Sequence, residues 1–81
     1  MYKNRAKGGS LNLCGEKIRE LRLELRPRTS QRMLADRLQL LGLDLDKNAI
    51  QRIESGKRFV TDIELLAFAK LFHVSTDDLL K

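Results

Sequence analysis

The 81-residue chain has one cysteine, one proline, no tryptophan and only four other aromatic residues. A single cysteine, Cys14, excludes an internal disulfide, and Cys14 with His73 falls short of the roughly four Cys or His ligands of a structural zinc site. With Pro27 and five glycines as the main punctuation, turn chemistry is too sparse for an all-β domain that reverses every ~8–12 residues. Few aromatics point the same way, since strands favour them. No apolar run approaches the ~18 residues of a spanning helix, and no signal-peptide core follows the basic start. The expectation is therefore a cytoplasmic protein without membrane contact, in which a lone thiol stays reduced. No paired carboxylates, no nucleophile beside a base and no metal set stand out, so neither an enzyme nor a cofactor is expected; a helix N-terminus accounts for Asp77-Asp78. Cys14 reads as a small packing residue before the first helix, and His73 as a group near terminal helix carbonyls.

What remains is a chain 42% hydrophobic and 33% charged. One small domain of this size buries only about 60–65% of its unfolded surface, and with disulfides and metals excluded, packed helices are the means left to hold it. The net charge of +5 favours an anionic partner such as nucleic acid. Residues 1–13 carry Lys3, Arg5 and Lys7 without an acid, so +3 sits there and +2 on residues 14–81. The first 13 residues, with a Gly8-Gly9-Ser10 hinge, read as a flexible basic arm; residues 14–81 read as the domain.

From Glu16, Ile18, Leu21 and Leu25 recur at helical spacing, and Pro27 ends that helix near Arg26. Thr29 and Ser30 offer a cap before Gln31, where Met33, Leu34, Leu38 and Leu41 form a second apolar stripe that Gly42 stops. Asp46 caps a third helix, 47–55, with Ala49, Ile50 and Ile53 inward and Gly56 after it. Thr61-x-x-Glu64 is a capping box opening a fourth helix that turns Ile63, Leu66, Ala67, Leu71 and the pair Phe68 and Phe72 inward. A last short turn begins at Ser75 and carries Leu79 and Leu80. The expected fold is all-α, a compact bundle of about five short helices. The third helix alone is poor in large apolar residues: its outer face presents Lys47, Asn48, Gln51 and Arg52.

Gln31-x-x-x-Ala35, followed by Ile50-x-x-Ile53-Glu54-x-Gly56-Lys57-Arg58, resembles the helix-turn-helix of lambda-repressor-like (Cro/CI, XRE-type) DNA-binding domains. The resemblance runs from about Gly15 to Leu80. It includes Leu21-Arg22 in the first helix, Ser30-Gln31 and Leu34-Ala35 in the second, and the closing stretch Leu66-Ala67-x-Ala69-x-x-Phe72-x-Val74-Ser75-x-Asp77-Asp78-Leu79-Leu80. The sequence departs at Gln39, where the family usually has a glycine, and the stretch from Ala35 to Ile50 is longer than usual. An elongated turn follows, in which Leu43 and Leu45 bury at alternating positions and Asp44 stays outside.

The resemblance implies a third helix in the major groove. There Arg52 or Lys47 suits guanine O6 and N7, and Asn48 or Gln51 suits adenine N6 and N7. Gln31 then corresponds to a phosphate clamp at a helix N-terminus, with Lys57 and Arg58 as further phosphate contacts. An Arg22–Glu54 ion pair is expected on two grounds. A carboxylate in the last turn of the third helix opposes the macrodipole unless a cation compensates, and the family pairs these two positions.

The implied function is that of a sequence-specific regulator binding double-stranded DNA, as a repressor occupying an operator in the nucleoid. One small domain reads few base pairs, so the expected form is a homodimer joined through the C-terminal helices on a pseudo-palindromic site. Leu79-Leu80 with Phe72 or Val74 is the expected contact. The alternative is an antitoxin-like or accessory protein that binds a protein partner as well as DNA. A purely protein-binding helical module would instead carry apolar anchors on the third helix.

Overall fold

A computed structural model describes residues 7–81, and the part of the basic arm spanning 1–6 lies outside the described residues. After a short 3-10 turn at Lys7–Gly9 come five helices: α1 (Gly15–Glu24), α2 (Gln31–Leu40), α3 (Lys47–Glu54), α4 (Asp62–Phe72) and α5 (Thr76–Leu80). The fold is all-α, with no strand among the described residues.

The helix starts follow from local side-chain chemistry. Ser30 and Asp46 accept hydrogen bonds from the backbone N–H groups of Met33 and Ala49, and Thr61 and Ser75 form capping boxes with Glu64 and Asp78. The helix ends are equally local. Past α2, Gly42 takes a left-handed φ of 86°, Gly42 N–H donates to the Gln39 carbonyl (3.0 Å) and Leu43 N–H to the Leu38 carbonyl (3.0 Å), a Schellman stop. The elongated turn then runs from Leu41 to Asp46. Leu45 buries in it, Leu43 half-buries and Asp44 is exposed, so the added residues are absorbed by apolar burial and α3 still docks on α1 and α2.

Ile18, Leu34, Leu38, Ile50, Ile53, Phe68 and Leu79 are fully enclosed, and the Phe68 and Phe72 rings stack with centroids 6.4 Å apart. Cys14 belongs to the same core, and burial pushes its thiol up from the ordinary range.

Several apolar positions face outward instead of inward. Met33, Leu41, Ile63 and Leu66 are 45%, 50%, 72% and 50% exposed. On α2 the inward stripe is Leu34, Ala35 and Leu38; on α4 the buried residues are Glu64, Ala67, Phe68, Ala69, Leu71 and Phe72. Met33, Ile63 and Leu66 each sit one step before a buried residue, about 100° round the helix from it, and Leu41 lies past the last turn of α2 as its C-cap. The proposed free surface at Phe72 and Leu79 also changes: at 9% and 0% exposure they belong to the core, and Leu80 alone of Leu79-Leu80 stays exposed.

The last residues of the stretch read as an arm are tied to the rest of the domain. Leu11 N–H donates to the Gly56 carbonyl (2.8 Å), and the Asn12 carboxamide bonds the Ile53 and Arg58 carbonyls. Polar composition suggested a free tail, but these side-chain and backbone donors satisfy carbonyls at the end of α3 and just beyond it.

Candidate nucleic-acid interface

Ile50 and Ile53 are wholly buried and Ala49 nearly so, which pins one face of α3 to α1 and α2. The helical period then places Lys47, Asn48, Gln51 and Arg52 outward, and all four are exposed. Among the described residues none of these four side chains, nor that of Lys57, makes a hydrogen bond or ion pair. Their donors and acceptors are uncommitted. Lys57 stands exposed at the position where the Schellman turn after α3 delivers its backbone N–H to the Arg52 carbonyl (2.8 Å).

Behind this face lies a buried ionic junction. Arg22 Nε donates to Glu54 Oε2 (2.7 Å) and Nη2 to Oε1 (3.0 Å), with side chains 11% and 3% exposed. Arg22 Nη1 donates to the Thr29 carbonyl (3.1 Å), and Gln31 Nε2 donates to Glu54 Oε1 (3.0 Å). The carboxylate of the last residue of α3 therefore holds α1 and the first residue of α2, each through charge-assisted bonds. The second amide hydrogen of Gln31 and its side-chain carbonyl have no partner among the described residues.

A hollow of about 450 Å³ opens beside Gln31, lined by Arg22, Arg28, Ser30, Arg32 and Lys47. Four cations and no acid line it, and Glu54 neutralises only Arg22 among them. Arg28 and Arg32 had no place in the sequence reading. The signal was present, since both flank Ser30-Gln31 at a helix start, where the positive end of the dipole and the amide N–H groups already favour an anion. A second, larger hollow of about 700 Å³ lies between Ser10–Gly15 and the end of α3, with Glu16 and Glu54 in its lining.

Arg58, expected as a phosphate contact, already has partners within the domain. Its guanidinium forms a two-pronged pair with Glu64 (2.9 and 3.1 Å) and donates to the Phe59 carbonyl (2.9 Å). Glu64 is also the capping-box residue of α4, accepting from Thr61 N–H. The Arg58 guanidinium beside it holds the Glu64 carboxyl below the usual carboxylate range, with the Thr61 N–H adding to this against the opposing effect of burial. A carboxyl lowered in the folded state stabilises fully above its unfolded value of about 4.3 and loses that contribution as pH falls through the lowered folded value. Glu64→Gln is accordingly expected to flatten the acid side of the stability curve below about pH 4, measured by urea unfolding between pH 3 and 6. An unchanged acid limb would contradict this role for the pair.

Among the described residues there is no group of three or more His, Cys, Asp or Glu able to hold a metal, and no helix is long and apolar enough to cross a membrane. A family model described as helix-turn-helix matches residues 18–79. No curated protein and no solved structure matches the chain.

Proposed function

The chain belongs to the helix-turn-helix family of lambda-repressor-like, XRE-type DNA-binding regulators, and from that premise we propose that it is a repressor that reads an operator with α3 and acts by occupying it. Regulators of this family are generally non-enzymatic, and occupancy asks for no chemistry. The observation that carries the reading is the exposed, uncommitted set Lys47, Asn48, Gln51 and Arg52 directly opposite the buried Ile50 and Ile53.

In this reading the α3 residues meet base edges, while Gln31, Lys57 and the cations around the smaller hollow, Arg28 and Arg32, meet phosphates. Arg58 supports α4 instead. Two copies bind half-sites about one helical turn apart. Ile63 and Leu66, three residues apart on the exposed side of α4, and Leu80 on α5 are the apolar groups that a second copy would cover.

Base and phosphate contacts separate experimentally. Gln51→Ala or Arg52→Ala is expected to weaken binding by about 1–3 kcal/mol and relax preference at one base pair, whereas Lys57→Ala weakens all sequences alike. Fluorescence anisotropy against a set of single-base variants of the bound duplex gives both quantities. Uniform weakening by Gln51→Ala and Arg52→Ala across every variant would contradict base reading by α3.

A further inference from the structure

Lys57 protrudes from a turn that is fastened from outside α3. The Schellman stop of α3 uses Gly56 at φ 77°, with Gly56 N–H on the Ile53 carbonyl (3.1 Å) and Lys57 N–H on the Arg52 carbonyl (2.8 Å). The carbonyls of Gly56 and Arg58, immediately before and after Lys57, point to the segment that precedes α1. Leu11 N–H takes the first (2.8 Å) and Asn12 Nδ2 the second (2.8 Å).

Asn12 does more than close one bond. Its second amide hydrogen reaches the Ile53 carbonyl (3.0 Å), and its Oδ1 accepts the N–H of Gly15 at the start of α1 (2.8 Å). Ser10 sets its orientation, since the Ser10 hydroxyl donates to the Asn12 carbonyl (2.7 Å) and accepts the Asn12 N–H (3.3 Å). Two donors and one acceptor on a single rigid plane thus connect α1, the end of α3 and the residue after Lys57. Asparagine is the fitting residue. Aspartate has no donor when ionised and serine has only one with a shorter reach.

We propose that Asn12 is a positioning residue for the DNA backbone: it holds the Lys57 turn in fixed register with α3, so that the Lys57 ammonium meets a phosphate without first ordering its loop. The inference rests on the reading of Lys57 as a phosphate contact. Its physical content is an ordering cost large enough to decide the contact: in a loop that must first be fixed, one exposed ion pair does not offset the freedom lost, and the phosphate stays unneutralised.

The test is the salt dependence of DNA binding by the full chain, measured for wild type, Asn12→Ala, Lys57→Ala and the double variant on one duplex. A neutralised phosphate contributes about 0.9 to the slope of log K against log salt. Lys57→Ala is expected to lose about that much, Asn12→Ala to lose most of it, and the double variant to lose no more than Lys57→Ala alone. A purely structural role for Asn12 would scale the folded fraction, lowering K equally at every salt concentration and leaving the slope intact. Should Asn12→Ala unfold, Asn12→Ser, which keeps one donor, carries the same comparison. A wild-type slope in the Asn12 variant beside a reduced one in Lys57→Ala, or additive losses, overturns the positioning role alone. A wild-type slope in Lys57→Ala overturns the phosphate contact and the positioning role with it.

Discussion

Arg22→Ala and Glu54→Ala are each expected to destabilise the domain by about 3–5 kcal/mol, because each strands a buried charge. The glutamate would keep only Gln31 as a side-chain partner, and the arginine would keep only the Thr29 carbonyl. With side chains 11% and 3% exposed, water cannot replace the missing ion without opening the junction of α1, α2 and α3. Removing both charges together is a different experiment. Arg22→Met with Glu54→Leu exchanges the pair for apolar volume and is expected to cost far less than the sum of the single alanine effects. Urea unfolding of the single variants and the pair measures this coupling. Additive effects would mean that the two charges do not depend on one another.

Gly15→Ala is the second large effect, and its sign is diagnostic. Inside a solvent-facing helix, glycine to alanine stabilises by about 1 kcal/mol. Here a Cβ on Gly15 would run into the Ile53 carbonyl and lie 2.9 Å from Asn12 Oδ1. Neither atom is a loose side-chain end. The Ile53 carbonyl already accepts from Gly56 N–H and from Asn12, and Asn12 Oδ1 accepts from Gly15 itself. Relief requires α1 and α3 to separate, and overpacking of this kind costs about 1–3 kcal/mol. The expected result is a lower unfolding midpoint with weaker DNA binding, since α3 shifts relative to the rest of the domain. A stabilised Gly15→Ala protein would contradict the close approach of the two helices.

The features that could be read in the sequence are those whose causes are local. Ser30, Asp46, Thr61 with Glu64 and Ser75 announce helix starts because their partners lie three residues on, and Gly42 and Gly56 mark stops because a left-handed turn suits glycine. The polar face of α3 was equally visible, since Ile50 and Ile53 fix which side is buried. Ile63 and Leu66 were misplaced because α4 is apolar on almost every side, so periodicity alone does not choose its inward stripe. Leu79 and Phe72 were counted as spare surface, yet α5 folds back on α4 and encloses them.

Two polar residues have partners that the sequence pattern does not announce. Arg58 sits in a charged loop, and its partner Glu64 had already been assigned to the capping box; nothing in the pattern indicates that one carboxylate does both. Asn12 looked like the end of a polar tail because two of its partners, Ile53 and Arg58, lie 41 and 46 residues away. The one local sign was its third bond, to Gly15 N–H three residues on, the same spacing that marks the helix caps.

Selection of bound duplexes from a random pool, carried out in parallel with the wild-type chain and with Gln51→Ala, bears on whether α3 reads bases. The expected outcome is a two-fold symmetric site with half-sites about one helical turn apart, and a Gln51→Ala site that has lost preference at one position of each half while the others persist. Recovery of no common sequence, or of the same complete motif by both proteins, would contradict recognition through the exposed face of α3.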